Sequence, residues 1–552
     1  MIARIENFRG LVTGDVDHTR RGLRPAVGLT AADASRLTRR LDWRFLLPDP
    51  HLRRVIHVGF PTVTMARALA AFSDSLVFAG GQPHACGQAD LVVAEGAARQ
   101  QIEGVLPELR PGGWLYWELR SGQTLRQADI AWLRRCGISH VQAFWHCGGF
   151  ENRRWIIPLA DPAGLAMFLK RRIVNIPANL LSQIADGLAR SRTLHRTLAI
   201  SVIGCHTPGA ECGTFAERFM VAQTLRLGLA PIGPGRPYIL ATPAFPSSRS
   251  VVFLMSPNQS YEPTLVAKIA RAEADGEPLA CEARNLRALH LAGADVEAPK
   301  LVSHGVFERR AILVESALPG RLMTPRVVRR QPDACIEAVT DWLAEFHRET
   351  RASGCRLPGR VMTLVNNQLN RLEPIVAQEP AAPELLLRVR RETSRLESLK
   401  VPLVFEHGDL SSPNLLMLGN GRVGVLDWEL ADPRGLPAVD LFFFLAFVAF
   451  ARERATTPAQ CVAAFRDAFF GPTAWTHPHI ARYIALVGVP KTAVVPLFLL
   501  CWSRYLSALP ARMAWAAGRD LRCTELQEVR RDRYWHLWKY AVEHVDDLQH
   551  PY

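Results

Sequence analysis

The stretch from Leu403 to Leu441 constrains the fold more than any other part of the chain. It begins in an apolar run and continues as HGDLSSPN over residues 407–414. Two short apolar segments, LLML and VGVL, then flank a Gly-Asn-Gly turn, and the second leads into Asp427. Asn-Gly between two apolar runs is the strongest short-range signal for a β-hairpin. A hairpin here places Asn414, just before its first strand, close to Asp427, just after its second.

The polar residues of this stretch suit phosphoryl transfer. That reaction needs a carboxylate that orients and deprotonates an attacking hydroxyl, together with oxygen ligands for the metal ions that bridge the nucleotide phosphates. Asp409 is the candidate base. Asn414 and Asp427 are the candidate ligands of Mg²⁺, a hard cation that prefers oxygen.

The motif H-G-D-x-x-x-x-N, followed by an apolar strand and D-W-E, resembles the aminoglycoside phosphotransferase and choline kinase families. These families are small-molecule relatives of the protein kinases. The resemblance covers residues 236–450 well and the helical tail loosely. It implies ATP and Mg²⁺ as cofactors, Asp409 as the catalytic base and His407 as a support for the loop. Protein kinases usually have Arg where this chain has Gly408, and D-F-G where it has D-W-E.

Composition sets the broad class of the protein. The chain has 552 residues, enough for two to four domains, and is 48% hydrophobic and 21% charged, as is usual for globular proteins. The formal net charge is +14. Such a charge indicates an anionic partner or simply an arginine-rich proteome, and both interpretations stay open. Specific nucleic-acid binding is not expected, because no aromatic-and-basic motif accompanies the charge.

Cysteine usage and hydropathy bear on the compartment. The 11 cysteines are dispersed and form no C-x-x-C pair, which is typical of reduced thiols and favours a cytoplasmic location.

The longest apolar runs, Leu441–Ala451 and Ala493–Trp502, are shorter than the ~20 residues that a membrane span needs. We therefore expect two buried helices and no membrane span. The oligomeric state is not predictable from these features.

The first third of the chain alternates short apolar strands with helical patterns, which predicts a parallel, doubly wound, Rossmann-like α/β sheet. The predicted strands are residues 55–58, 75–79, 89–94 and 114–119, with paired strands at 140–145 and 154–159. A helix is predicted at 102–109 and a turn at Arg110-Pro111-Gly112-Gly113.

The segment LRPGGWLYWE, residues 109–118, resembles the late strand of S-adenosylmethionine-dependent methyltransferases. That family has a Gly-rich loop after its first strand and an acidic residue at the end of its second. Here only Gly59 follows the first strand, and Gly80-Gly81 stand where the acidic residue is expected. We therefore interpret this domain as methyltransferase-like in fold and without cofactor.

The middle of the chain is predicted to be a kinase-like small lobe. Strands are expected at residues 238–241, 251–255, 265–270 and 311–316. Val266-Ala267-Lys268 resembles the kinase strand whose lysine contacts the nucleotide phosphates, and Glu282, at the start of a helix, is its expected ion-pair partner. The alternative is a solvated glutamate on a charged helix.

Two further segments are assigned to nucleotide binding through the same resemblance. The phosphate-covering loop falls within residues 242–250, which contain no glycine, so that Ser248 and Arg249 are the candidate phosphate contacts. The segment ESALPG, with Glu315 and Ala317, resembles the hinge between kinase lobes, where backbone groups bind adenine.

The remainder of the chain is predicted to be the helical lobe. His347, in the segment WLAEFH, is interpreted as structural, and residues 384–399 as a charged helix forming an exposed arm. Asp440 is expected to cap the following helix and to hold the catalytic loop, as the matching aspartate does in the phosphotransferase family.

The predicted fold is thus an α/β N-terminal Rossmann-like domain followed by an α+β bilobal protein-kinase-like domain. Its divisions are residues 1–175, a linker at 176–235, a small lobe at 236–318 and a helical lobe at 319–552. The predicted function is phosphorylation of a hydroxyl on a small molecule such as a sugar or nucleoside. The alternatives are a non-catalytic pseudokinase scaffold and a bifunctional methyltransferase-kinase.

Overall fold

The chain folds into two compact units in a computed structural model. The first unit comprises Met1–Gly276, Gly305–Ile312 and Ala516–Arg519, and the second comprises Glu277–His304, Leu313–Trp515 and Asp520–Tyr552. This division differs from the predicted boundaries at residues 175, 235 and 318. The structure describes residues 31–79, 88–120, 122–152, 154–160, 162–172, 183–187, 198–206, 213–228, 238–243, 248–256, 262–293, 297–351, 359–377, 379, 382–419, 421–471, 474–517 and 526–548.

The first unit is a mixed α/β structure. Its strands are β1 Leu52–Gly59, β2 Ser73–Phe78, β3 Ala89–Glu95, β4 Leu109–Glu118, β5 Ile138–Cys147, β6 Trp155–Pro158, β7 Ile200–His206, β8 Tyr238–Ala241, β9 Ser250–Met255 and β10 Leu265–Ala270. Its helices are α1 Ala31–Arg40, α2 Val63–Phe72, α3 Arg99–Glu103, α4 Gln127–Arg135, α5 Pro162–Arg172 and α6 Phe215–Arg226. These ten strands lie in the order β10-β9-β8-β6-β5-β7-β4-β3-β1-β2.

Four of these strands are parallel. β1 pairs with β2 on one side and with β3 on the other, and β3 pairs with β4. The central residues of β1, β3 and β4 are mostly buried apolar side chains, as expected for parallel strands covered on both faces, whereas those of the edge strand β2 are partly exposed. Because the strands run in the same direction, Gly59, Glu95 and Glu118 come together at the carboxyl edge of the sheet.

The rest of this sheet is antiparallel. β7 lies between β4 and β5 and is antiparallel to both, and β8, β9 and β10 follow as an antiparallel series beyond β6. The predicted strands form close to their expected positions, but among the described strands of this sheet parallel pairing is limited to β1–β4. The predicted helix at 102–109 is wrong, because α3 ends at Glu103 and β4 begins at Leu109. The predicted turn at 110–113 is wrong, because those residues lie within β4 beside a shift in the β3–β4 register.

The second unit is largely helical. Its helices are α7 Glu277–Leu291, α8 Pro325–Arg330, α9 Pro332–Glu349, α10 Arg360–Val376, α11 Ala382–Ser394, α12 Val439–Glu453, α13 Pro458–Phe469, α14 His477–Val487, α15 Val494–Ala517, α16 Leu526–Val529 and α17 Arg533–Glu543. Its strands are β13 Arg321–Leu322, β14 Val404–Glu406, β15 Leu415–Met417, β16 Val423–Val425 and β17 Asp432–Gly435. Two further strands, β11 Leu301–Phe307 and β12 Arg310–Ser316, cross the division between the units.

One apolar core runs through the second unit and fixes the predicted hairpin. Leu415, Val423 and Val425 of the hairpin and Trp428 beyond it are buried in the same cluster as the faces of α9 and α12. The segment 384–399 is not an exposed arm. Leu386, Val389 and Leu396 are buried in this core, since the apolar residues of α11 recur at helical spacing.

The helix that contains the second predicted apolar run is longer than the run itself. Residues Lys491–Met513 are long and apolar enough to cross a membrane by length and composition, with a mean hydropathy of 1.4 in the best window. However, 72% of that window is buried inside the protein. Burial of this kind is also typical of a core helix, and the segment packs among the aromatic residues of α12 and α13.

Candidate active site

The hairpin that the sequence predicts forms and brings the candidate residues together. Leu415 pairs with Val425 in an antiparallel ladder, and the backbone N–H of Leu426 donates to the carbonyl of Asn414 over 2.8 Å. Asn414 and Asp427 therefore lie at the same end of the hairpin, as the sequence indicates.

Asp409 and Asn414 are joined directly. Asn414 Nδ2 donates to the carbonyl oxygen of Asp409 over 2.9 Å and to its carboxylate Oδ2 over 3.2 Å. The backbone N–H of Ser411 donates to the same Asp409 carbonyl, which closes the loop into a tight turn. These bonds fix the Asp409 carboxylate in one orientation before any substrate binds.

The Asp409 carboxylate has the protonation behaviour of a base that works near neutral pH. Burial raises its pKa to about 6. The positive charges of Arg512 and Arg533 and the bond from Asn414 oppose this rise, whereas the negative charge of Asp427 adds to it. At neutral pH the group is mostly ionised yet basic enough to accept a proton, which is what general-base catalysis requires.

His407 supports the loop through both ring nitrogens. Nε2 lies 3.0 Å from the carbonyl of Leu426, and Nδ1 accepts from the backbone N–H of Asp409 over 3.2 Å. The ring is buried and packs edge-on against Trp428, with 4.8 Å between ring centroids. This arrangement assigns the proton to Nε2 and engages both ring nitrogens with backbone groups, so the geometry gives His407 a positioning role.

Asp440 holds the loop through hydrogen bonds to its backbone. Its two carboxylate oxygens accept from the backbone N–H groups of His407, over 2.7 Å, and Gly408, over 2.8 Å. The expectation that it ties down the loop is therefore confirmed. The expectation that it caps the next helix is wrong, because α12 begins at Val439, with Ala438 as the preceding residue.

Gly408 occupies a position that excludes a side chain. Its φ of +84° lies in the left-handed region, which favours glycine. A Cβ atom there would lie only 2.6 Å from both the Leu430 carbonyl oxygen and Arg504 Nη2. The Gly408 carbonyl accepts a bond from the Tyr505 hydroxyl over 3.1 Å. The glycine that departs from the protein-kinase pattern therefore allows α15 to approach the loop.

The residues behind Asp427 are held by α7. Glu282 Oε1 accepts from the backbone N–H of Trp428 over 3.2 Å, and Asn285 Nδ2 donates to the carbonyls of Trp428 and Ala431 over 2.8 and 3.0 Å. Asp427 itself adopts φ +68°, which costs a non-glycine residue energy and is characteristic of functional sites. The helix thus stabilises a strained turn that orients the Asp427 carboxylate.

One polar residue buried beside the loop, Tyr483, was not identified from the sequence. The Tyr483 hydroxyl donates to His347 Nδ1 over 2.5 Å and accepts from the backbone N–H of Ala438 over 2.9 Å. Burial lowers the pKa of His347 to about 3, so the ring is neutral and the predicted structural role fits its surroundings. A tyrosine 136 positions away leaves no local signal in the sequence.

The predicted nucleotide contacts are distributed over both units. Lys268 lies on β10, and Ser248 and Arg249 precede β9, in the first unit. The carbonyls of Ser248 and Arg249 accept bonds from the side chain and the backbone of Arg271, over 2.7 and 2.9 Å. Residues 244–247 of the predicted phosphate loop lie outside the described residues. The nucleotide-binding roles of these residues stay predictions.

The hinge residues and the hairpin belong to the same unit. Glu315 is buried at the end of β12, and Ala317 follows it. The next residues reach the hairpin, because β13 pairs with β15 and the Met323 N–H donates to the Leu415 carbonyl over 2.8 Å. The predicted link between lobes therefore leads directly to the candidate catalytic segment.

The donors at the end of the hairpin fit Mg²⁺. Asn414 and Asp427 offer an amide and a carboxylate oxygen, the hard ligands that this ion prefers. After burial, the negative charge of Asp427 adds to the rise in the pKa of Asp409, and a cation bound at Asp427 would relieve this repulsion between the two carboxylates. Among the described residues no group of three His, Cys, Asp or Glu side chains forms a metal site.

A second polar cluster lies at the carboxyl edge of the parallel strands in the first unit. The guanidinium of Arg40, from α1, makes two bonds to Glu118 over 2.5 and 2.7 Å. It also pairs with Glu95 and Glu151, over 3.1 Å each. Arg40 is fully buried, and Glu118 accepts a further bond from the Tyr116 hydroxyl over 2.7 Å. Open α/β sheets usually bind ligands at this edge, but here an arginine of the same chain fills it.

Comparisons with known proteins agree with the catalytic segment. The model of the phosphotransferase enzyme family APH matches residues 244–478, which is somewhat under half of the chain. The match includes the hairpin and the helix that carries Glu282. None of the curated proteins compared with the chain matches it.

Several solved structures are similar to part of the chain. Choline kinase LicA from Streptococcus pneumoniae is 14% identical with a TM-score of 0.34, over 54% of this chain and 89% of that one. A choline kinase from Cryptosporidium parvum is 14% identical with a TM-score of 0.33, over 55% and 89%. An aminoglycoside phosphotransferase from Alicyclobacillus acidocaldarius is 16% identical with a TM-score of 0.31, over 55% and 89%. Residues 244–478 are thus similar to the phosphotransferase enzyme family.

Proposed function

We propose that this protein is an ATP- and Mg²⁺-dependent phosphotransferase that phosphorylates a hydroxyl of a small molecule, such as a sugar, a nucleoside or a related metabolite. The observation that carries the proposal is the fixed arrangement of Asp409, Asn414 and Asp427 at one end of the hairpin. The bonds from Asn414 to Asp409 orient the base, and the strained turn behind Asp427 orients the metal-binding carboxylate. Within a phosphotransferase family domain, these are the positions at which the reaction needs a base and two oxygen ligands.

The residues then have distinct roles in the reaction. Asp409 accepts the proton of the acceptor hydroxyl while the hydroxyl oxygen bonds to the γ-phosphorus of ATP and the bond to the β-phosphate oxygen breaks. Asn414 and Asp427 would hold Mg²⁺, which when bound neutralises charge on the phosphates. His407 and Asp440 keep the Asp409 backbone in place through the bonds described above. Lys268, supported by Glu282, is proposed to contact the phosphates.

For the first unit we propose a methyltransferase-like, Rossmann-like sheet that does not use S-adenosylmethionine. The strand order and the antiparallel β7 between β4 and β5 support the likeness to that fold. The buried Arg40 supports the absence of a cofactor, because its guanidinium takes the place at the carboxyl edge where a ligand would bind. We further propose a cytoplasmic location, which the reduced state of the described cysteines supports.

The function is tested by nucleotide turnover with the full-length protein. Release of ADP is measured with and without Mg²⁺, first alone and then with a panel of hydroxyl compounds. Mg²⁺-dependent turnover that the panel stimulates supports the proposal. Nucleotide binding without any turnover would instead favour a non-catalytic scaffold.

A further inference from the structure

The helix that contacts the catalytic loop, α15, carries arginines. α15 passes beside the catalytic loop, and Tyr505 on this helix donates to the Gly408 carbonyl. Arg512 lies seven residues further along α15, which is two helical turns, and so on the same face and about 10 Å beyond. The helix that contacts the catalytic loop therefore also carries an arginine further along the same face.

Arg512 is free to bind a ligand. It is partly exposed, and within the described part of the chain it makes no ion pair or hydrogen bond. Its neighbour Arg504, by contrast, is paired with Glu406. Arg512 does not touch Asp409, yet its positive charge is the strongest influence that stabilises the Asp409 carboxylate.

A second arginine reinforces this charge. Arg533, at the start of α17, lies over the rings of Tyr534 and Phe450, with 5.0 and 5.8 Å to the centroids. The Tyr534 ring stacks at 5.7 Å against Tyr505, which binds the catalytic loop. This stacking holds the exposed guanidinium near the loop, and its charge also acts on Asp409.

The charges around Asp409 exclude one class of acceptor. The negative neighbours that act on it are Asp427, the proposed metal ligand, whose charge a bound cation would neutralise, and the buried Asp440, whose carboxylate accepts from two backbone N–H groups of the loop. The remaining field near the base is then that of Arg512 and Arg533. A cationic acceptor would be repelled there, whereas an anionic acceptor would be attracted.

We propose that the acceptor of this phosphotransferase carries an anionic group, a phosphate or a carboxylate, which Arg512 binds while its hydroxyl reaches Asp409. Arg533 adds to the attraction without a direct contact being required. This inference rests on the proposed phosphotransferase function and specifies its substrate class. Arg512 is thus a specificity-determining residue.

The test uses acceptors that differ only in charge. The full-length protein is assayed for ADP release with ribose, ribose 5-phosphate and ribonate, and with glycerol, glycerol 3-phosphate and glycerate. Choline and kanamycin serve as cationic acceptors. We expect stimulation by the phosphorylated or the carboxylated compounds. Comparison of these two sets shows whether the protein binds a phosphate or a carboxylate. Stimulation by neutral or cationic members instead, or by none, would overturn the inference even where Mg²⁺-dependent ATP turnover upholds the proposed function.

Variants then test the role of Arg512 with the best anionic acceptor. Arg512→Gln should raise the KM for that acceptor about 10–100-fold with a much smaller change in kcat, the effect of losing a charge-assisted bond. Arg512→Lys should restore part of the affinity, and added salt should weaken it in the wild type. Arg466→Gln is the matched control, because Arg466 pairs with Asp467 at the surface of α13. An unchanged KM in Arg512→Gln, or equal losses in both variants, contradicts the role of Arg512.

Discussion

Glu282 accepts a hydrogen bond from the backbone N–H of Trp428, the residue that follows Asp427. The sequence predicts this glutamate as the partner of Lys268, and the bond to Trp428 gives it a second task. Glu282 is fully buried, so it also supports the turn that carries the proposed metal ligand. One side chain on α7 thus belongs to both the proposed nucleotide contact and the proposed metal site.

Two substitutions separate these tasks. Glu282→Gln keeps an oxygen that accepts from Trp428 but removes the charge proposed to orient Lys268. We expect a KM for ATP raised ~10-fold with thermal stability close to that of the wild type. Glu282→Ala should in addition lower the stability of the second unit by ~1–3 kcal/mol, because the buried N–H loses its acceptor. The measurements are steady-state kinetics and chemical denaturation, with exposed Glu277→Gln as the control. A wild-type KM in Glu282→Gln would argue against the pairing with Lys268.

Asp409→Asn should leave ATP binding nearly normal and reduce phosphoryl transfer strongly. Asparagine is nearly isosteric, so the loop held by His407 and Asp440 keeps its shape, whereas the general base is lost. Such a base typically contributes ~10²–10⁴-fold. Nucleotide titration and acceptor-dependent turnover, measured on the same preparations, separate the two effects. Equal turnover in variant and wild type would remove Asp409 from the mechanism.

Asp427→Ala should abolish Mg²⁺-dependent nucleotide turnover with the fold largely intact, because a ligand is lost and core packing is not. The left-handed backbone at this position adds a cost of ~1–2 kcal/mol for alanine. Asp427→Asn controls for this cost, since asparagine tolerates the conformation but weakens the charge on the metal. Circular dichroism and Mg²⁺ titration of turnover provide the readouts. Wild-type rates in the alanine variant would show that Asp427 is not a metal ligand.

The activity should fall as the pH is lowered through about 6. Burial raises the pKa of Asp409 to about that value, and the base must be deprotonated to act, so the rate rises with pH up to a plateau. Asp427 and the buried Asp440 favour the protonated form, whereas Arg512 and Arg533 favour the ionised form. The pH range in which the activity falls should therefore move to higher pH in Arg512→Gln. The pH dependence of kcat/KM, measured for the wild type and for Arg512→Gln, checks both expectations. An activity that falls only near pH 4 would show that Asp409 is not the titrating base.

The first unit should not bind S-adenosylmethionine at micromolar concentration. Arg40 is held by Glu118 and Glu95 at the carboxyl edge of the sheet, where its guanidinium occupies part of the place in which such a cofactor would bind. Calorimetry on the full-length protein tests this directly. In addition, Arg40→Ala should destabilise the unit by ~3–5 kcal/mol, because it leaves buried carboxylates without their cation. Micromolar binding of S-adenosylmethionine by the wild type would contradict the interpretation.

The sequence by itself determined the local features. The hairpin with Asn414 before it and Asp427 after it follows from short-range turn chemistry and apolar alternation. The strands of the first unit were placed for the same reason, because each buried run is bounded by its own turn residues. The predictions for residues 110–113 and 384–399 were wrong because tertiary packing prevailed over the local pattern. Gly112 and Gly113 lie inside a strand rather than a turn, and the Arg-rich helix at 384–399 buries its apolar face.

Only the tertiary structure decided which distant groups meet. Tyr483 joins His347 to Ala438, Glu282 accepts from Trp428, and Arg40 fills an edge made by Glu95 and Glu118. Each bond links residues that are distant in sequence, and no periodicity or spacing encodes such a bond. The sequence therefore gives the types of chemical group through local preferences, while burial and long-range contacts set their orientation, their protonation state and the charge that surrounds the base.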